Sequence, residues 1–208
     1  GGVDTLTADV ANRGTAAIDY KYNVSNVENL SLKLTTGASV VDASGFTNVS
    51  SVNLWNADSA VVNMKLNNYD LATGLYLGRT ASTGATSNQE SNGTYTIVPT
   101  DATGAADNLN ISAGIAGADD DVDADLVVTG VETVTVTRSA KDPNNAKIDM
   151  TKAKAATIKI VDGFNSAANM ANVTNLDTLS TSTTTVDASG AWGYVGATAS
   201  VVGTTFNM

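Results

Sequence analysis

The sequence predicts an all-β chain: a β-solenoid or stacked β-repeat of units of about 21 residues, carrying a loop or hairpin excursion. A β-sandwich is the alternative. One observation behind this is a phrase that occurs four times, as Asn26-Val27-Glu28-Asn29-Leu30-Ser31-Leu32, Asn48-Val49-Ser50-Ser51-Val52-Asn53-Leu54, Gly130-Val131-Glu132-Thr133-Val134-Thr135-Val136 and Asn172-Val173-Thr174-Asn175-Leu176-Asp177-Thr178. Apolar residues stand at its second and fifth places, and at the seventh in three copies, which is the two-residue alternation of a half-buried strand. In the last copy Leu179 arrives one step late. The other observation is a second phrase, aliphatic-Asp followed by small or hydroxylated residues, at Ile18-Asp19, Val41-Asp42-Ala43-Ser44, Ile148-Asp149-Met150-Thr151 and Val186-Asp187-Ala188-Ser189. An Asp side chain accepts from the backbone amide two residues on. The unit therefore reads as strand, tight corner, strand.

Composition narrows the chemistry. The 208 residues are 42% hydrophobic but only 5% aromatic, so small aliphatic side chains fill the core. The chain has no His and no Cys, which removes the commonest general base, thiol nucleophiles, zinc thiolate sites and disulfides. A net charge of -10 opposes nucleic acid as a partner and favours divalent cations. No apolar stretch is long enough for a helix to span a bilayer, so membrane insertion is not expected. The opening Gly1-Gly2-Val3 reads as the edge of a piece of a longer protein, and no signal peptide is visible.

Residues 1–66 form a first β-repeat block. Val3, Leu6 and Val10, then Ile18, Tyr20 and Tyr22, mark two strands joined at Asn12-Arg13-Gly14, and two units follow between Val24 and Leu66. Trp55 either caps a rung or sits at an interface. Residues 67–117 read as an irregular excursion within the same domain, because the segment from Gly78 to Gly93 is dense in Gly, Ser, Thr and Asn. It is either a place for specific contacts or a spacer. Strands are still expected at Tyr95–Val98, ending at Pro99, and at Leu109–Ile111.

A second block, 118–208, continues the first. It opens on Asp119, Asp120, Asp121, Asp123 and Asp125. In an extended chain Asp121, Asp123 and Asp125 share one side, where bound Ca²⁺ would relieve their repulsion; a solvated acidic loop is the other reading. The spacing is not that of an EF-hand, which needs a central Gly and a terminal Glu. Between Lys147 and Lys159, Ile148, Ile158 and Ile160 fit strands better than an amphipathic helix. A charged corner at Arg138–Asn145 precedes them, after a strand unit through Val127–Thr137, and they are followed by a helical turn at Ser166–Met170 and a closing apolar group at Trp192, Tyr194, Val201, Val202 and Phe206.

The Val-Asp-Ala-Ser corners at 41 and 186, the Val-Glu-Thr-Val-Thr-Val strand at 131 and the Gly-Gly-Val-Asp-Thr-Leu opening together resemble bacterial S-layer and RTX-associated repeat-containing surface proteins. The likeness covers about two thirds of the chain. It implies type I secretion, an extracellular place on the bacterial cell surface and calcium-dependent self-association into a lattice, with neighbouring segments of the same protein as further partners. Tandem G-G-x-G-x-D-x-U-x nonapeptides are absent, and only Asp4 matches a fragment of one, so calcium sites of that kind are not implied. The function expected is a structural scaffold with Ca²⁺-bridged acidic sites and no catalytic residues. The alternative is a binding module of a large adhesin that recognises protein or a surface polysaccharide. An enzyme is not expected, since only Glu28, Glu90 and Glu132 supply glutamates and no carboxylate pair stands out.

Overall fold

The computed structural model describes residues 2–10, 19–35, 37–57, 61–78, 89–113, 122–138, 146–162, 173–191, 194–199 and 203–208. In chain order the strands are β1 (Thr5–Val10), β2 (Asp19–Lys21), β3 (Val24–Ser25), β4 (Asn29–Leu34), β5 (Gly37–Asp42), β6 (Phe46–Thr47), β7 (Ser51–Ala57), β8 (Val62–Tyr69), β9 (Gly74–Leu77) and β10 (Gln89–Pro99). They continue as β11 (Asn108–Ala113), β12 (Val122–Val128), β13 (Thr133–Arg138), β14 (Ala146–Ala153), β15 (Thr157–Asp162), β16 (Val173–Thr178), β17 (Thr185–Gly190), β18 (Tyr194–Thr198) and β19 (Thr205–Asn207). A 3-10 turn, Ala43–Gly45, follows β5.

The strands form two parallel ladders. The first runs β1, β4, β7, β9, β11, β13, β15, β17, β19. The second runs β2, β5, β8, β10, β12, β14, β16, β18. The short β3 and β6 pair in parallel on their own, and the start of β10 touches β7 antiparallel at Gln89 and Glu90. Parallel neighbours require a crossover. Here the crossover of each ladder is a strand of the other, and the chain is a β-solenoid, not a sandwich.

Alternation aims one side of each strand inward, and the parallel register stacks like positions. In the first ladder Leu30, Val52, Leu75, Ile111, Val136 and Ile160 form one row. In the second, Val41, Leu66, Ile97, Val128 and Ala153 form another. All are at most 1% exposed. Burying each large aliphatic side chain contributes about 1.5–3 kcal/mol, so a core with few aromatics is sufficient. Trp55 caps no rung. It lies on the outward face of β7, opposite in sense to Leu54, with its indole N–H donating to Ser31 Oγ at 2.9 Å and Lys33 Nζ 5.4 Å from the ring centre.

The spacing departs from a steady 21. Partners along the first ladder, Thr5, Asn29, Ser51 and Gly74, are 24, 22 and 23 residues apart; Leu75 to Ile111 is 36; Asn108, Thr133, Thr157, Thr185 and Thr205 follow at 25, 24, 28 and 20. Pairing constrains the strands and leaves corner length free. The wide step falls within 67–117, a segment that nevertheless supplies β9, β10 and β11 to the same two ladders.

That step also slips the phrase by two residues. Val136, at the seventh place of its copy, joins the row of Leu30 and Val52, which hold the fifth. A slip of two keeps every inward side chain inward, whereas a slip of one would invert the strand. The fourth copy lies in β16, in the second ladder rather than the first. There Asp177 adopts a left-handed backbone (φ 50°) at an irregularity between Asn175 and Thr178, and Leu179, the late residue, is fully buried. The joints expected at 12–14 and, past Arg138, at 139–145, the turn at 166–170, and Trp192, Val201 and Val202 lie outside the described residues.

Coils approach so closely that a side chain has no room at certain points. A Cβ on Gly93, whose φ is +128°, would fall 1.9 Å from the carbonyl oxygen of Val62 on the adjoining strand, while one on Gly2 would meet nothing within 4 Å. Gly93→Ala is expected to cost about 1–3 kcal/mol in chemical denaturation, from overpacking and backbone strain. Gly2→Ala should leave the midpoint unchanged; equal midpoints for the two variants would contradict the β8–β10 contact.

Candidate functional site

The described carboxylates of the aliphatic-Asp phrase are engaged with backbone. Asp42 Oδ1 accepts from Ser44 N–H at 2.9 Å, Asp149 from Thr151 at 2.7 Å and Asp187 from Ser189 at 3.1 Å. The aliphatic-Asp phrase caps a corner at Asp42, at the end of β5; Asp149 and Asp187, expected at corners, lie inside β14 and β17 where the pairing shifts register, and Asp70 and Asp101 repeat the bond to Ala72 and Thr103 just beyond β8 and β10. Other bonds join one coil to the next. Asn68 Nδ2 donates to Asp42 Oδ1 at 2.9 Å, and Asn48 Nδ2 to Asn26 Oδ1 at 3.1 Å. All three asparagines have φ between 53° and 57°, a left-handed region that Asn tolerates better than most residues. Asn26 and Asn48 hold the first place of the phrase, so its recurrence signals their bond, whereas Asn68 lies in β8.

The glutamates of the phrase act alike. Glu28 Oε2 accepts from Asp4 N–H at 2.9 Å and Glu132 Oε2 from Asp107 N–H at 2.7 Å, so each clamps the start of the preceding strand in the first ladder. The bond from Asp4 holds the Glu28 carboxyl below its usual range.

Of the acidic run, Asp119, Asp120 and Asp121 lie outside the described residues. Asp123 and Asp125 stand on the outward face of β12, alternating with buried Val122, Ala124 and Leu126. They do share one side. Register sets Asp123 beside Lys147 and Asp125 beside Asp149. Lys147 Nζ lies 3.4 Å from Asp123 Oδ1 and 3.7 Å from Asp177 Oδ2, and Asp123 foremost pushes the ammonium's pKa upward. Asp125, Asp149 and Lys152 line a shallow depression one step along. Among the described residues no group of three or more acidic side chains is placed to hold a metal.

A larger concavity was not expected from the sequence. Three successive corners stack at the ends of β5, β8 and β10, leaving a groove of about 710 Å³ lined by Ser44, Phe46, Tyr69, Asp70, Asp101 and Asp107 among others. Tyr69 is spent on structure, its hydroxyl donating to the Thr73 carbonyl at 2.6 Å. Asp107 Oδ2 accepts from Gly104 N–H at 3.0 Å. What faces solvent is a half-buried Phe46 ring flanked by carboxylate oxygens, a surface suited to hydroxyl or ammonium groups.

No protein-family model, no curated protein and no solved structure matches this chain. Among the described residues no helix is long and apolar enough to cross a membrane.

The inter-coil bond from Asn68, with the amide of Ser44 second, draws the Asp42 pKa from 3.8 down to about 2. A depressed carboxyl stabilises the fold above its unfolded pKa, and that contribution is lost as pH falls from about 4 toward 2. Asn68→Gly keeps the left-handed backbone and deletes the donor. NMR titration of the variant should move the Asp42 midpoint up toward 3.8; an unmoved midpoint would show that the amide of Ser44 alone sets it.

Proposed function

We propose that this chain is a structural component of a bacterial cell-surface layer, a secreted, repetitive β scaffold that assembles with its neighbours through Ca²⁺-bridged acidic sites. The observation that carries this reading is the pair of parallel ladders: a core built by stacking, whose corner and inter-coil carboxylates serve the backbone. Oxygen donors for calcium fit in part. Asp123 and Asp125 present carboxylates on one outward face, as Ca²⁺ requires, and Asp119, Asp120 and Asp121 complete the run in the sequence. Lys147 competes for Asp123, so calcium would have to displace an ammonium at 3.4 Å.

The groove over Phe46, Asp70 and Asp101 favours a second reading, a binding module of an adhesin that takes a surface polysaccharide. There the Phe46 ring would stack on a sugar and the carboxylates would accept its hydroxyls. A glycan array tests it: binding should fall on Phe46→Ala and persist when Asp123 is changed.

For the scaffold, electron microscopy of the protein in millimolar Ca²⁺ should show sheets or higher assemblies that chelator disperses. Asp121→Asn combined with Asp123→Asn should lower the melting temperature in calcium alone. Equal loss with and without calcium would leave Lys147 as the only counter-ion that Asp123 uses, and the calcium bridge would be wrong.

A further inference from the structure

One coil of the solenoid lacks a side. Where the second ladder returns to the first, successive corners span 22–28, 43–50, 70–73 and 100–107, and all four lie within the described residues. The first two each hold a short strand, β3 and β6, paired in parallel. Corner 70–73 has four residues against eight in 43–50 and in 100–107, and it crosses directly, with Thr73 N–H donating to the Asp70 carbonyl at 2.9 Å. A third side is therefore missing for one step, and the groove of about 710 Å³ is the notch it leaves. Coils of this chain stand on both sides of it.

The notch bares a strand edge. Among the described residues β6 pairs only with β3, and Asn26 N–H donates to the Thr47 carbonyl at 3.1 Å, so Thr47 turns its polar groups toward β3. The N–H and C=O of a trans peptide point in opposite directions, and polar groups alternate in sense along a strand. The Asn48 N–H and the Phe46 carbonyl consequently point away from β3, toward the notch. Phe46 N–H is already used within its turn, donating to the Ala43 carbonyl. One residue of an extended segment can donate to the Phe46 carbonyl and accept from Asn48 N–H, the exchange by which parallel strands pair. Two coil steps of about 4.8 Å separate β6 from corner 100–107, and a single strand fills the middle of such a gap.

Side chains define what that strand carries. Phe46 registers with buried Val24 and packs, like Leu71, against the core, so an apolar side chain laid beside it extends an inward row. Asp70, Asp101 and Asp107 line the notch, and among the described residues no Lys or Arg does. The turn bonds of Asp70 and Asp101 use Oδ1, which leaves Oδ2 of each for a ligand. An ammonium or guanidinium group complements this wall. A sugar can use the ring and the carboxylates, but it does not pair the strand edge.

We infer that the notch receives an extended segment of a partner protein, added beside β6 as the missing strand, with an apolar residue over Phe46 and a Lys or Arg against Asp70 and Asp101. In strand addition of this kind main-chain bonds supply affinity and alternate side chains supply specificity. The inference goes beyond both readings above, since it needs no calcium and places a polypeptide where the adhesin reading places a polysaccharide.

The test titrates a capped peptide, Thr-Lys-Val-Thr-Lys-Thr, into the isotope-labelled 208-residue chain, followed by NMR. Binding should move the Asn48 amide downfield, as a new hydrogen bond does. N-methylation of the Thr after Val removes the donor to the Phe46 carbonyl and should weaken binding about tenfold. Exchanging both Lys for Glu should weaken it by a similar factor. Asp70→Asn with Asp101→Asn keeps the Oδ1 acceptors of both turns; it should abolish the preference for Lys over Glu and preserve the Asn48 shift, with circular dichroism checking the fold. The peptide arms need no altered protein, so the test survives a variant that fails to fold. An Asn48 amide unmoved at millimolar peptide, or equal affinity for the N-methylated peptide, overturns the proposal. A neutral dextran oligosaccharide that moves Phe46, Asp70 and Asp101 where the peptide does not would make the notch a polysaccharide site and strand addition wrong. Peptide binding without dextran binding would uphold the inference and remove the polysaccharide.

Discussion

Every inward side chain of this fold meets its counterpart one coil away, and that contact is the constraint on which the rest depends. Parallel pairing brings Leu30 onto Val52 and Val52 onto Leu75, and the same backbone bonds that set the register hold those side chains in contact. Core packing and hydrogen bonding are thus satisfied by one geometry. The consequence is a division of labour within each coil. Strands have little freedom, while corners are free in length provided that their own polar groups find partners, which the Asp, Asn and Glu side chains supply.

The strands were legible because alternation of aliphatic and polar residues is a local signal, and so were the bonds of Asp42, Asp149 and Asp187 to the backbone, since each spans two residues; that Asp149 and Asp187 sit inside strands rather than at corners was not. Distance was less legible. Counting from phrase to phrase suggested a near-constant unit, yet register counts paired residues and ignores what lies between them, so steps of 20 and 36 coexist. Nor did the phrase say which ladder it occupies: the fourth copy has the pattern of its relatives and its Val173–Thr178 lies in the opposite ladder, because alternation specifies a strand with one buried face and not which face of the solenoid it serves. The inter-coil bonds of Glu28 and Glu132 could be read only with a neighbour in place, since each partner is 24 or 25 residues away in sequence.

The same distinction governs the candidate sites. The run around Asp123 and Asp125 announces itself as an acidic cluster, and alternation correctly puts both on one side. Its neighbour across the ladder, Lys147, is invisible until the strands are paired, and it changes the electrostatic problem from one of crowded anions to one of anions already sharing a cation. The groove lined by Phe46 is likewise a product of stacking, formed by residues from three corners that no single stretch of sequence contains together.

The two-residue offset between the β4–β9 rows and those from β11 onward bears on how the fold absorbs changes of chain length. Inside a strand a one-residue change of length is taken up as a bulge, as between Ile97 and Pro99, Asp125 and Val127, and Lys159 and Val161, while a two-residue change needs none. In the bends between strands any number is admissible. At the joint of Leu75 and Ile111 the offset is even, so the inward rows run through it without a bulge.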